Sequence, residues 1–169
     1  LGATNVTTTE TNGLQNIVIN GDQNITGNIG TAANALGYVI ANANKDIKIG
    51  TLEFNAGIKT NTIDTGNVEF TLANAKVRSI GESGKQVLNV KFTESGSVAD
   101  GVYSKEVRID DIKTATLGGI IKSGDFQLSA ADSKVIFAEG ADVQSAIKST
   151  AAGQGLVEVA GNATINEDL

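Results

Sequence analysis

The sequence predicts an all-β chain, and two observations carry that prediction. The first is the stretch TLEFNAGIKTNTIDTGNVEFTLANAKV, Thr51 to Val77, which states one pattern twice. Leu52, Phe54 and Ala56 share one parity while Glu53 and Asn55 take the other; Val68, Phe70 and Leu72 then alternate with Glu69 and Thr71. A period of two places each apolar set on one face of a sheet. Between the copies, Asn61, Thr62, Asp64, Thr65, Gly66 and Asn67 are residues that tolerate tight turns and bond their own backbone. The second observation is composition. Apolar residues make up 40% of the chain, mostly Val, Ile, Leu and Ala, with 4% aromatic residues and 20 Gly. Small branched side chains suit thin repetitive layers, and that apolar share with a net charge of −6 separates the chain from disordered sequences.

In chain order, Leu1 to Gly13 is polar and Thr-rich, with strand propensity but little to bury. Ile17, Val18 and Ile19 form a strand closed by the turn signal Asn20-Gly21-Asp22, and a second short strand follows around Ile25 and Ile29. In Thr31 to Lys45 a helix competes, since Thr31 could cap it and Leu36, Val39, Ile40 and Ala43 fall at helical spacing. Gly37 and several Asn weaken that helix. Ile47 and Ile49 alternate with Asp46 and Lys48, and the inward parity flips at Gly50 and Thr51, as at a bulge or a corner. After the turn GESGKQ, Leu88, Val90 and Phe92 alternate with Asn89, Lys91 and Thr93. Val102 to Thr114 reads as one long strand with Tyr103, Val107 and Ile109 on one parity, antiparallel and wet on its other face. Phe126 and Leu128, then Val135 and Phe137, and finally Leu156 to Val159 supply the last strands; Val143, Ala146 and Ile147 also fit a short helix. The Phe-bearing strands are unequally spaced, so no strict repeat is read. The chain is a single β-rich domain over residues 1–169, with a weak seam near Gly81 to Gly84.

Composition narrows the chemistry. At 169 residues the chain can hold an adequate core, since about 68–70% of the unfolded surface is buried at about 150 residues. There is no Cys, Met, His, Trp or Pro, which removes thiol and imidazole chemistry. A pI of about 4.6 repels a phosphate backbone, so nucleic acid is set aside. No apolar run approaches a membrane span. Leu1 is not followed by a basic and then apolar leader, so the chain reads as a processed or excised piece.

The candidate sites each have a plainer structural explanation. Asp110 and Asp111 are the most enzyme-like pair, because clustered carboxylates serve carbohydrate enzymes, yet consecutive strand residues point to opposite faces. Gly21-Asp22 and Gly124-Asp125 invite calcium on turns, without the spacing of a calcium loop. GNIG and GQG lack the context of a phosphate loop. Asn5, Asn24 and Asn162 open Asn-x-Ser/Thr triplets that chance explains in so Asn- and Thr-rich a chain. Arg78 and Arg108, the only arginines, read as surface charge, and the scattered Thr residues form no regular ice-binding ladder. No catalytic, cofactor-binding or metal-ligating residues are assigned.

The segments NITGNIGTAANALGYV, TLEFNAG, GNVEFTLANAKV and SKVIFAEGADVQSAI resemble the degenerate strand repeats in passenger regions of bacterial autotransporters, particularly the rickettsial surface cell antigens. The likeness spans most of Asn24 to Val77 and returns at Ser133 to Ile147. It implies a right-handed parallel β-helix, secretion through a C-terminal β-barrel, and a role in adhesion or in a protein coat. Rungs of about 20 residues would then give about eight, stacked at roughly 4.8 Å. Gly84 to Phe126 departs from the pattern, and its long charged strand suits the alternative, an Ig-like antiparallel β-sandwich.

The expected function is that of a non-enzymatic cell-surface or secreted segment, an autotransporter passenger or coat protein, whose partners are a host-cell surface or copies of itself. A second reading makes it a β-sandwich subunit of a filament or S-layer, with Leu1 to Gly13 as a donated strand. A third, a polysaccharide-acting enzyme on a β-helix, rests on fold analogy. With Tyr38 and Tyr103 the only tyrosines and no Trp, no binding hot spot stands out, so contacts are expected to be shallow and weak per copy.

Overall fold

A computed structural model describes Val6, residues 15–110 and residues 112–166. Among them are seventeen strands: β1 (Ile17–Ile19), β2 (Gln23–Ile25), β3 (Tyr38–Ala41), β4 (Ile47–Ile49), β5 (Glu53–Thr60), β6 (Thr65–Phe70), β7 (Ala75–Ile80), β8 (Val87–Phe92), β9 (Gly96–Val98), β10 (Gly101–Ile109), β11 (Thr114–Leu117), β12 (Ile120–Leu128), β13 (Lys134–Phe137), β14 (Asp142–Val143), β15 (Ile147–Ser149), β16 (Leu156–Val159) and β17 (Thr164–Ile165). Every pairing between them is parallel, and each strand pairs with strands about one turn before and after it in sequence, never with a hairpin partner. The chain is a right-handed parallel β-helix of about seven turns.

Three faces wind around one core, and each inward position forms a ladder along the axis. On the first face the ladder runs Ile17, Val39, Ile58, Ile80, Val102, Ile121, Val143, Ile165. On the second it runs Ile25, Ile49, Phe70, Phe92, Ile109, Leu128 and ends at Ser149. On the third it runs Val6, Ile29, Phe54, Val77, Val98, Leu117, Phe137, Val159. Residues that would sit on unrelated strands in a sandwich therefore lie one above another. Parallel strands separated by about 4.8 Å bring equivalent side chains into direct contact. The Phe70 and Phe92 rings accordingly stack at 4.3 Å with an interplanar angle of 14°, while between the second and third faces Phe126 meets Phe137 edge-on at 6.2 Å. All five Phe are fully buried.

Asn and Asp, read in the sequence as turn residues, also form ladders outside the core. Asn67 Nδ2 donates to Asp46 Oδ1 at 2.7 Å, and Asn89 Nδ2 donates to Asn67 Oδ1 at 2.7 Å. At another corner Asn61 Nδ2 donates to Asn42 Oδ1 at 2.7 Å and Asn42 to Asn20. These amides bond the turn above or below, which fixes the axial register of the stack as Asn ladders do in cross-β assemblies.

Several expectations are corrected. The antiparallel sandwich over Gly84 to Phe126 is overturned by β8, β10 and β12, which lie side by side and parallel. The long charged strand is β10, ending at Ile109, and it rounds a corner: its start pairs with β7 and its remainder with β8. The corner reverses parity, so Val102 and Ser104 point inward with Val107 and Ile109, while Tyr103 faces out. The helix over Thr31 to Lys45 is absent; its apolar residues instead enter β3 and the segments on either side of it. Ala146 and Ile147 likewise belong to a turn and to β15 rather than a helix. Leu52 and Leu72, expected inward, are exposed, because each sits at a corner where the chain leaves one face for the next. The turns number about seven rather than eight, since the first-face ladder advances by 19 or 22 residues per turn rather than 20.

Candidate functional site

The charged side chains of the walls are engaged between turns. Lys48 Nζ meets Glu69 at 3.4 Å, Lys59 meets Glu82 at 2.9 Å, Arg78 meets Asp100 at 3.0 Å and Lys113 meets Glu94 at 3.0 Å. Each pair joins residues about one turn apart, so opposite charges alternate along the axis.

The sequence candidates fall into this pattern. Asp110 accepts Lys91 on one oxygen at 3.3 Å and Arg108 on the other at 3.1 Å; a carboxylate held by two cations is a clamp. Asp111 and Asn5 lie outside the described residues. Asp22 is exposed, and its Oδ1 accepts the Asp46 backbone N–H at 3.1 Å from the neighbouring turn. Asp125 accepts from Gln127 and pairs with Lys148 at 3.4 Å. Neither Asp belongs to a group of three or more potential metal ligands, and no such group occurs among the described residues. Asn24 and Asn162 are exposed. Leu1 to Gly13, the expected donor strand, is described only at Val6, whose backbone bridges Ile29 within its own chain.

What the structure does bring together is the two tyrosines. A surface groove of about 360 Å³ opens where the third face turns into the first, lined by Tyr38, Arg78, Ser79, Glu82, Asp100 and Tyr103 with glycines between them. Its floor is a row of small residues, because the outward positions stacked beside Tyr38 are Gly57 and Ser79. The glycine is required: a Cβ at Gly57 would lie 2.5 Å from the Tyr38 ring and 2.8 Å from Ser79 Oγ. Tyr38 leans into this gap and carries the Lys59 ammonium 3.8 Å above its ring centroid, a cation–π contact. Lys59 in turn holds Glu82. Burial, and then the adjacent Glu82 carboxylate by its charge and its hydrogen bond to the hydroxyl, push the Tyr38 phenol above its ordinary value of 10.0.

Tyr103 forms the far wall. It stands on β10, three strand spacings from β3 along the stack, roughly 14 Å. Arg78 and Asp100 pair across the groove between adjacent turns. The groove is therefore lined by hydroxyls, a guanidinium and two carboxylates, and Lys59, outside the lining, offsets the Glu82 charge. Sequence reasoning missed it because Tyr38 and Tyr103 are 65 positions apart, about three turns, and only the turn length reveals that they share a wall. Compared with family models, curated proteins and solved structures, the chain matches none.

Proposed function

We propose that this chain is a non-enzymatic structural and adhesive segment of a bacterial cell surface, a stiff β-helical rod that spaces and displays a polar wall. The observation that carries the reading is the use of side chains: carboxylates, amines and amides of successive turns bind one another along the axis. Such a wall stiffens a rod of about seven turns, roughly 34 Å long, and leaves broad shallow faces for contact. The resemblance of Asn24 to Val77 and Ser133 to Ile147 to autotransporter passenger repeats supports the same reading. Contacts of this kind are weak singly and gain strength from many copies.

The test compares one copy with many. Beads coated densely with the chain should adhere to cultured host cells, while the soluble monomer at micromolar concentration should neither bind measurably nor compete. Tight binding by the monomer, or no adhesion at any density, would overturn the proposal.

A filament or S-layer subunit is the second reading, and exposed apolar side chains on the walls favour it. Leu52 and Ile63, in the middle turns, are exposed apolar side chains that a second copy would cover. Self-association would appear as a mass that rises with protein concentration in sedimentation equilibrium; a constant monomer mass counts against it.

A further inference from the structure

We propose that the groove between Tyr38 and Tyr103 binds a short, uncharged carbohydrate chain lying along the axis of the rod. The inference deepens the adhesive reading, but the groove stands on its own geometry, and the experiment below reads it without cells.

Four features select the ligand class. The first is charge. Of the lining charges, Arg78 is offset by Asp100 at 3.0 Å, and Glu82 is offset at 2.9 Å by Lys59, which sits over the Tyr38 ring outside the lining, so the site favours neither an anion nor a cation. The second is hydrogen bonding. Ser79 and Tyr103 present hydroxyls, Tyr38 donates its own to Glu82 and leaves its oxygen as an acceptor, Asp100 presents a further acceptor, and Arg78 presents a fork of donors of which only Nε is bound to Asp100. A dense mixture of donors and acceptors with no net charge matches a polyhydroxylated neutral molecule, whose every hydroxyl both donates and accepts.

The third feature is shape. Small residues at Gly57 and Ser79 leave a shallow trough, and the tyrosines stand about 14 Å apart along it, a span suited to a few linked sugar rings. The volume of about 360 Å³ lies at the lower end of the roughly 300–1,000 Å³ typical of ligand sites. Tyrosine suits the ends of such a trough, since it combines an apolar ring with a polar tip. The fourth feature weighs against a peptide. The strands under the groove are paired on both sides by neighbouring turns, so no sheet edge is open to an added strand.

The test uses the 169-residue chain labelled with nitrogen-15 and observed by amide NMR during titration with maltotetraose, cellotetraose and chitotetraose as neutral probes, and with tetragalacturonate as an anionic one. At least one neutral probe should shift the amides of Gly57, Ser79, Gly101 and Tyr103 in the millimolar range and leave the second face unmoved. Tyr103→Ala should weaken that binding about tenfold, and Tyr103→Phe by less. Asp100→Asn, which leaves Arg78 unpaired, should shift preference toward tetragalacturonate. Thr116→Ala, outside the groove's lining, should change nothing. An absence of shifts with all three neutral probes overturns the proposal, as does preference of the native chain for the anionic probe, or binding unchanged in Tyr103→Ala while its amide spectrum remains dispersed. Loss of cell adhesion with glycan binding intact would sink the surface reading and leave the groove standing.

Discussion

The middle of the stack and its C-terminal end are written in the same residue pattern and differ in what covers them. In β6 and β8, Val68, Phe70, Val90 and Phe92 are buried at every inward position. In β16, Leu156, Val157, Glu158 and Val159 alternate as regularly, yet only Val157 is even half-buried. The first-face ladder shows the same gradient: Val39 through Val143 are buried, while Ile17 and Ile165 at its two ends are partly exposed. Burial in a solenoid comes from the turns above and below, so a strand's place along the axis counts for more than its sequence. Stability in such a stack is close to a sum of nearest-neighbour terms.

The sharpest way to break the comparison is to cut an equivalent side chain from each region. Phe92→Ala removes a ring stacked on Phe70 and bounded on the next turn by Ile109, and should cost about 3–5 kcal/mol. Val159→Ala on β16 should cost under about 1 kcal/mol, since the exposed side chain loses little burial. Urea denaturation of both variants checks this; equal losses would show that the last turn is covered in solution.

Two glycines three residues apart sharpen it further. Gly81 and Gly84 both adopt positive φ, 69° and 76°. A Cβ at Gly81 would lie 2.1 Å from the Tyr103 carbonyl oxygen of the next turn, while one at Gly84 meets nothing within 4 Å. Gly84→Ala should cost about 1–2 kcal/mol, the ordinary penalty for a left-handed residue. Gly81→Ala must also move a neighbouring turn, so its loss should be larger, about 3 kcal/mol, with a matching fall in melting temperature. Similar losses would mean that the stack yields at that corner.

The strands were legible in the sequence and the winding was not. Phe54 and Ala56, then Val68 and Phe70, alternate as a half-buried strand must, and all four are buried. Alternation is a local signal, and it is blind to whether the neighbour is antiparallel or one turn away. The unequal Phe spacing concealed the repeat because Phe54 and Phe137 belong to the third face and Phe70, Phe92 and Phe126 to the second. Alternation alone puts Tyr103 on the same parity as Val107 and Ile109, but parity does not carry across residues 105 and 106, where β10 rounds a corner. The groove was illegible for the same reason, since its residues come from four successive turns.

The amide ladders test whether polar registration follows the same gradient. The Asn67 side chain bridges Asp46 below and Asn89 above, whereas the Asn166 side chain makes one bond, to Asp142 at 2.7 Å. Asn67→Ala should cost about 1–2 kcal/mol and Asn166→Ala a few tenths of that. Hydrogen exchange gives a second reading, with amides of β6, β8, β10 and β12 protected longest and those of β15 to β17 exchanging first.

The smallest effect is confined to alkaline pH and concerns Tyr38, near the N-terminal end of the stack. Burial and the neighbouring Glu82 raise its phenol above 10.0 in the folded chain, so the neutral form is favoured by folding. A group whose folded value lies above its unfolded one contributes stability that is fully present below the unfolded value, here about pH 10. That contribution is lost as pH rises through the folded value, when the phenolate forms beside a carboxylate. Denaturation midpoints should therefore carry no Tyr38 term up to about pH 9 and a falling one beyond pH 10. The absorbance change at alkaline pH should contain a late component that Tyr38→Phe lacks, and the variant's midpoint should fall less steeply over the same range. If Tyr38→Phe and the native chain lose stability in parallel above pH 10, Tyr38 is not pressed against Glu82, and the near wall of the groove is more open than described.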